Sequence, residues 1–266
     1  MNKHNITLGS DPEIFVENDK GEVVSAIGML PGTKHEPHPI TDEGHCVQID
    51  NVAMEFNIPP SKTEDEFVHN IQYVLDYLEE IASINNVKLS NKVSYSLKDE
   101  ELTHPDAKVF GCDPDFNVYL QDVNNPPKAK DSNLRCVGGH IHIGYPNPNF
   151  ETSEKIVKAF DMFVALPAML IDDDNRRREL YGKAGSFRIK DPWGLECRVL
   201  SNFWIHSEEL IRWAYRNTVN AVNTVLDGEY DKYDKYSEEV RDIIDNNRVD
   251  QVEEMLNKLN LNKITV

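Results

Sequence analysis

Long hydrophobic runs are missing from this chain. No apolar stretch in its 266 residues approaches the ~20 needed to cross a bilayer, and the amino terminus lacks the charged and apolar regions of a signal peptide. Positive charge is also scarce: 28 Lys and Arg against 46 Asp and Glu leave a formal net charge of −18. That balance argues against nucleic-acid partners and against anionic membrane surfaces, and acidic clusters can instead hold divalent cations. Cysteine is sparse. Cys46, Cys112, Cys136 and Cys197 lie far apart and form no Cys-x-x-Cys pair. A structural zinc site is thereby disfavoured, and reduced thiols in a cytoplasmic protein are expected. What remains, 39% hydrophobic and 28% charged residues, suffices for a large folded core. We read residues 1–266 as a single domain.

The most informative stretch is Val137-Gly-Gly-His140-Ile-His142-Ile-Gly144-Tyr145. Its period of two sends both imidazoles to one face of a strand and Ile141 and Ile143 to the other. Flanking glycines suit backbone that passes close to a ligand. Taken alone, paired histidines can equally bond to each other's surroundings inside a core. Leu8 to Glu17 alternates in the same way, with Asp11 and Glu13 on one face, Ile14 and Val16 on the other, and Pro12 marking an edge or bulge. A Gly-, Pro- and His-rich loop from Pro31 to Gly44 follows, with Lys34, His35, His38 and His45 in or beside it. A solvated loop is the simpler reading of those residues, and substrate selection the functional one.

In Cys46–Ile58 the apolar residues are odd-numbered before Asp50 and even-numbered after Asn51. A bulge or tight turn there returns Gln48, Asp50, Glu55 and Asn57 to one polar face. Ser61 or Thr63 caps a helix whose apolar spacing makes it a cover for the sheet's packed face. Gly111-Cys-Asp113-Pro-Asp115 echoes Gly9-Ser-Asp11-Pro-Glu13 and precedes a second hairpin, where Asp113 and Asp115 serve either a turn or a site. A helix from Thr152 is kinked by Pro167. Tyr181–Arg188 reads as a small-residue loop whose Lys183 and Arg188 can approach phosphates, although it is no Walker motif. Glu196 and Arg198 share a strand face opposite Leu195, Cys197 and Val199. From about 207 to 266 the chain is helical.

Asp11/Glu13, Glu55/Asn57, His140/His142 and Glu196/Arg198 thus form four polar pairs backed by apolar faces, and Asp50 joins through the bulge. Such a sheet has one packed face and one lining a polar cavity. Converging carboxylates repel unless cations neutralise them. Oxygen ligands with one or two imidazoles favour Mg²⁺ or Mn²⁺ over zinc. With Lys183, Arg188 and Arg198 added, the set suits a nucleoside triphosphate.

The segments GSDPEIFV, VQIDNVAMEFNIPP, GCDPDFNVYL, RCVGGHIHIGY and GLECRVL, spanning residues 8 to 204, resemble the carboxylate–amine ligase superfamily of glutamine synthetase and glutamate–cysteine ligase. Their wording resembles the phage-associated COOH.NH2 ligase family, type 2. The resemblance implies an α+β, glutamine synthetase-like fold whose antiparallel sheet lines a funnel. It also implies an ATP-dependent ligase that joins a carboxylate to an amine through an acyl phosphate, in the host cytoplasm if phage-encoded. Glu13, Asp50 and Glu55 would resemble the ligands of one Mg²⁺ or Mn²⁺; Asp50 fits that pattern least closely. Asp11, His140 and Glu196 would resemble those of the metal between the ATP phosphates, although a glutamate is usual where Asp11 stands. Arg188 and Lys183 would match phosphate contacts, Arg198 the arginine at the transferred group, and His142 the nucleotide or substrate side. Arg198, Glu196 and Arg188 are the expected catalytic residues. Partners would be small-molecule or peptide acids and amines, and an oligomer is compatible with the sequence. A kinase of the same fold, a metal-dependent hydrolase and a non-catalytic nucleotide-binding protein are the competing readings.

Overall fold

The computed structural model describes residues 2–108, 115–125, 131–172 and 174–261. Gly111, Cys112 and Asp113 of the internal echo lie outside the described residues. The protein mixes antiparallel sheets with helices. Its central sheet has six strands in the spatial order Thr7–Ser10, Ile141–Gly144, Gly194–Cys197, Ser186–Lys190, Phe116–Asn117 and Asp122–Val123. Register aligns Gly9, His142, Glu196 and Arg188 in one row across four of these strands. Residues paired across a ladder share a face, so the side chains of that row leave the sheet together. The adjacent rows carry Leu8, Ile143 and Leu195 on one side and Ile141, Cys197 and Phe187 on the other, all buried in the main core.

Leu8 to Glu17 does not form one strand. Thr7–Ser10 belongs to the six-stranded sheet, Glu13–Ile14 to a four-stranded sheet with Ala53–Asn57, Cys46–Asp50 and His38–Pro39, and Val16–Glu17 to a third sheet. Pro12, which has no N–H for a ladder, stands where the chain leaves the first sheet for the second. The polar groups therefore line two sheets joined at Asp11–Pro12. The parity switch at Asp50–Asn51 is a tight hairpin: Asp50 pairs with Ala53, and Asn51 takes a left-handed φ of 56°. Register then sets Glu13 opposite Glu55 and Glu55 opposite Gln48.

Thr63 caps the Glu64–Ile84 helix in a capping box with Glu66. That helix packs on Glu208–Leu226 and on the Lys88–Leu89 strand. The cover of the six-stranded sheet is instead Phe150–Phe160, which contacts the Ser186–Lys190 and Gly194–Cys197 strands. Asn149 caps it, and a π-helical turn, Asp161–Ala165, leads into Leu166–Ala168. Pro167 removes one backbone donor there, and the looser turn absorbs the loss. The tail folds as Glu208–Leu226, a short turn of helix, Ser237–Asp245 and Val249–Leu259.

Candidate active site

Gly138 and Gly139 set the geometry at the head of the histidine strand. A Cβ on Gly138 would stand 2.5 Å from His140 Nε2, and one on Gly139 would stand 2.3 Å from the Ser201 carbonyl and 2.6 Å from Trp204 Nε1. The glycines therefore admit the protein's own imidazole and the 201–204 segment, and Gly138 also lines the cavity it shares with Glu13 and Arg198. Backbone bonds lock the turn. Glu13 N–H donates to Gly138 O, Gly139 N–H to Leu200 O, and Trp204 Nε1–H to Gly139 O. The Ser10 hydroxyl donates to His140 O.

His140 Nδ1 then lies 3.2 Å from Asp11 Oδ1 and 3.6 Å from Glu196 Oε1. Asp11, His140 and Glu196 each bring one donor atom within 4.8 Å of the others'. His142 Nε2 reaches the other oxygens, Asp11 Oδ2 at 3.3 Å and Glu196 Oε2 at 3.9 Å. Arg198, almost fully buried, pairs with Glu196, lies 3.2 Å from His140 Nδ1, and places Nε 2.6 Å from Asp115 Oδ1. Arg188 Nε is 3.4 Å from the same Asp115 oxygen.

Burial raises the pKa of Asp11, but the charges of His142 and His140 outweigh it and hold the carboxyl well below its usual range. Burial and Asp11 likewise push Glu196 upward, yet Arg198, His140 and His142 bring it down to about 2. His142 is raised: burial opposes its charge, and the Asp11 carboxylate more than compensates. This end of the site is a charge-compensated, ionised cluster.

The Glu13–Glu55 end behaves oppositely. Burial, then Asp50, raises Glu13; burial, then Asp11, Glu13 and Asp50, raises Glu55 well above its ordinary value. Glu13 accepts 2.8 Å hydrogen bonds at its side chain from Gly138 N–H and at its carbonyl from Asn202 Nδ2. Asp50 meets Lys34 Nζ at 3.0 Å, so the 31–44 loop folds back over this end. His35 and His38 point to solvent, whereas His45 is buried against Tyr73 with bonds to Thr41 and Asn70.

A divalent cation fits both ends by an observation independent of spacing. Glu55 Oε2 is buried and accepts no hydrogen bond, an arrangement that is costly unless a cation meets it, and Asp11 Oδ1, equally buried, has only the His140 imidazole beside it at 3.2 Å. Beside them a cavity is bordered by Glu13, Asp50, His140 and Arg198, with Phe15 and Leu180 among its apolar walls.

Of the residues singled out from sequence, Asp11, His140, His142, Glu196, Arg188 and Arg198 come together around one cluster, and Glu13, Asp50 and Glu55 around its neighbour. Lys183 turns elsewhere: its Nζ donates to the Asp245 carbonyl in the helical tail at 3.1 Å. The sequence reading passed over Lys190, whose Nζ stands 2.6 Å from Glu196 Oε2. Treating Ser186–Lys190 as strand from its start, rather than as the end of a loop, would have set Arg188 and Lys190 on one face.

No curated protein matches the chain. A solved bifunctional glutathione synthetase from Pasteurella multocida superposes with a TM-score of 0.49 at 10% identity, over 97% of this chain and 45% of that one. The chain thus spans less than half the length of that protein. Residues 129–248, which carry His140, His142, Arg188, Lys190, Glu196 and Arg198, match the family described as Phage phiEco32-like COOH.NH2 ligase-type 2, in keeping with the resemblance carried by the sequence motifs.

Proposed function

We propose that the protein is a Mg²⁺- or Mn²⁺-dependent ligase that uses ATP to join a carboxylate to an amine. The observation that carries the reading is the convergence of Asp11, His140 and Glu196 beside Arg198, the last three lying in a segment, 129–248, that matches a carboxylate–amine ligase family. Asp11, His140 and Glu196 would hold one cation, and Glu13, Glu55 and Asp50 a second. Bound there, divalent cations would screen phosphate charge. The chain's own groups do the rest. Arg198 and Arg188, oriented by Asp115, present guanidinium N–H groups on the site face of adjacent strands, where charge develops on a transferred phosphoryl group. Phosphorylation of the acid carboxylate turns a poor leaving group, oxide, into phosphate; attack by a neutral amine then expels phosphate and leaves an amide.

The cavity beside Glu13 and Arg198 offers room for part of a substrate against apolar walls.

The test is ADP release over a panel of amino acids, small acids, amines and peptides with Mg²⁺. The expected result is ADP and phosphate formed only when an acid and an amine are both present. ADP formed with an acid alone and a stable phosphorylated product would identify a kinase and overturn the ligase reading. Glu196→Ala should abolish ADP release while the circular dichroism spectrum stays that of the wild type.

A further inference from the structure

We infer that Lys190 is a triphosphate-contacting residue whose ammonium rests on Glu196 and transfers to the nucleotide's phosphates when these bind. This rests on the ligase reading and adds a residue to it. Two features of the cluster lead to it.

First, each of its central carboxylates faces two ways. Asp11 Oδ1 and Glu196 Oε1 face His140 Nδ1, at 3.2 and 3.6 Å. Asp11 Oδ2 and Glu196 Oε2 face His142 Nε2, at 3.3 and 3.9 Å, and Glu196 Oε2 also holds Lys190 Nζ at 2.6 Å. The inner oxygens and His140 supply the donor set for a cation, with Arg198 Nη1 also on Glu196 Oε1 and 3.2 Å from His140 Nδ1; the outer oxygens are held by the second histidine and the lysine.

Second, the basic groups differ in freedom. Arg198 is 4% exposed and tied to Asp115 and Glu196. Lys183 is engaged by the tail. Lys190 is 28% exposed while its partner Glu196 is fully buried, so the ammonium sits at the mouth of the cluster. It stands two residues from Arg188 on the same strand, opposite Gly194, which has no side chain to confine it. A flexible four-carbon stem with a compact charge can exchange one anion for another without moving backbone. A divalent cation held by Asp11, His140 and Glu196 would repel the ammonium from Glu196, and a phosphate chain would receive it.

The inference predicts effects of opposite sign. In Lys190→Met, Mn²⁺ alone should bind about 3- to 10-fold tighter by electron paramagnetic resonance titration, because a competing cation has been removed. In the presence of Mn²⁺, a non-hydrolysable ATP analogue should bind about 10-fold weaker, because a charged phosphate contact has been lost. Lys190→Arg should restore most of the analogue affinity. If Lys190 only braces the strand, both affinities fall together; that result, or no change in either, overturns the proposal. A wild-type protein that binds neither Mn²⁺ nor the analogue would instead fail the ligase reading itself.

Discussion

Glu13 and Glu55 carry an electrostatic cost that the protein keeps. Burial raises both, reinforced by Asp50 at Glu13 and by Asp11, Glu13 and Asp50 at Glu55, so above the ordinary carboxylate range the folded state must either hold protons or ionise against its neighbours. The sign follows from linkage. A carboxyl raised on folding stabilises the folded state below its unfolded pKa, and that contribution is lost as pH rises through the folded value. A divalent cation displaces those protons, so the rise in melting temperature on adding Mg²⁺ should be larger at pH 8 than at pH 5.5, and binding should release protons. Equal shifts at both pH values would count against cation binding by these glutamates. Glu55→Gln should stabilise the metal-free protein at pH 8 by about 1–2 kcal/mol, because a repelled buried charge is gone. The same variant should weaken the Mg²⁺ dependence. Denaturant midpoints read the first effect and Mg²⁺ titration the second. At this scale the sequence showed which carboxylates share a face. It did not show that Lys34 reaches Asp50 or that Lys190 reaches Glu196, since long flexible side chains choose partners from tertiary neighbours and leave no period.

Among the elements, the Gly138-Gly139 turn is the most constrained. Gly139→Ala must push against the Ser201 carbonyl and the Trp204 indole, at a cost of about 1–3 kcal/mol in unfolding free energy. Gly138→Ala meets the His140 ring first, so it should leave the fold intact and displace the imidazole. We expect unchanged unfolding but at least a 10-fold loss in Mn²⁺ affinity, and wild-type affinity in that variant would separate His140 from the metal. The tail matters through its contact with the basic loop. Asp245 Oδ1 accepts from Ala184 N–H and the Asp245 carbonyl from Lys183, while Asn247 Oδ1 accepts from Arg178. Asp245→Asn should cost about 1 kcal/mol, read as a lower melting temperature. The sequence showed alternation from Leu8 to Glu17 correctly but not the change of sheet at Pro12, because alternation persists across the break. Which ladder a segment joins depends on distant strands: Leu8 pairs with Ile143, Glu13 with Glu55 and Val16 with Leu89. Amphipathic spacing on Glu64–Ile84 likewise shows that one face is buried, not which sheet it meets: the helix packs on the Lys88–Leu89 strand, and Phe150–Phe160 covers the six-stranded sheet.

On the scale of the whole molecule, the site arises where two antiparallel sheets meet. Asp11 sits at the crossover, its carboxylate against His140 and Glu196, while Glu13, two residues on, belongs to the neighbouring sheet with Glu55. Two carboxylates two residues apart are thereby delivered to neighbouring clusters, one held low in pKa and one raised. Against a formal net charge of −18, Arg188, Lys190 and Arg198 gather at this one cluster.

The central claim is that Asp11, His140 and Glu196 hold a cation with one imidazole nitrogen, leaving His142 to the outer oxygens. Electron–nuclear double resonance on the Mn²⁺-loaded protein tests it most directly. The account predicts a single ¹⁴N coupling that vanishes in His140→Ala and persists in His142→Ala. Coupling from two nitrogens, none at all, or loss in the His142 variant alone would contradict it.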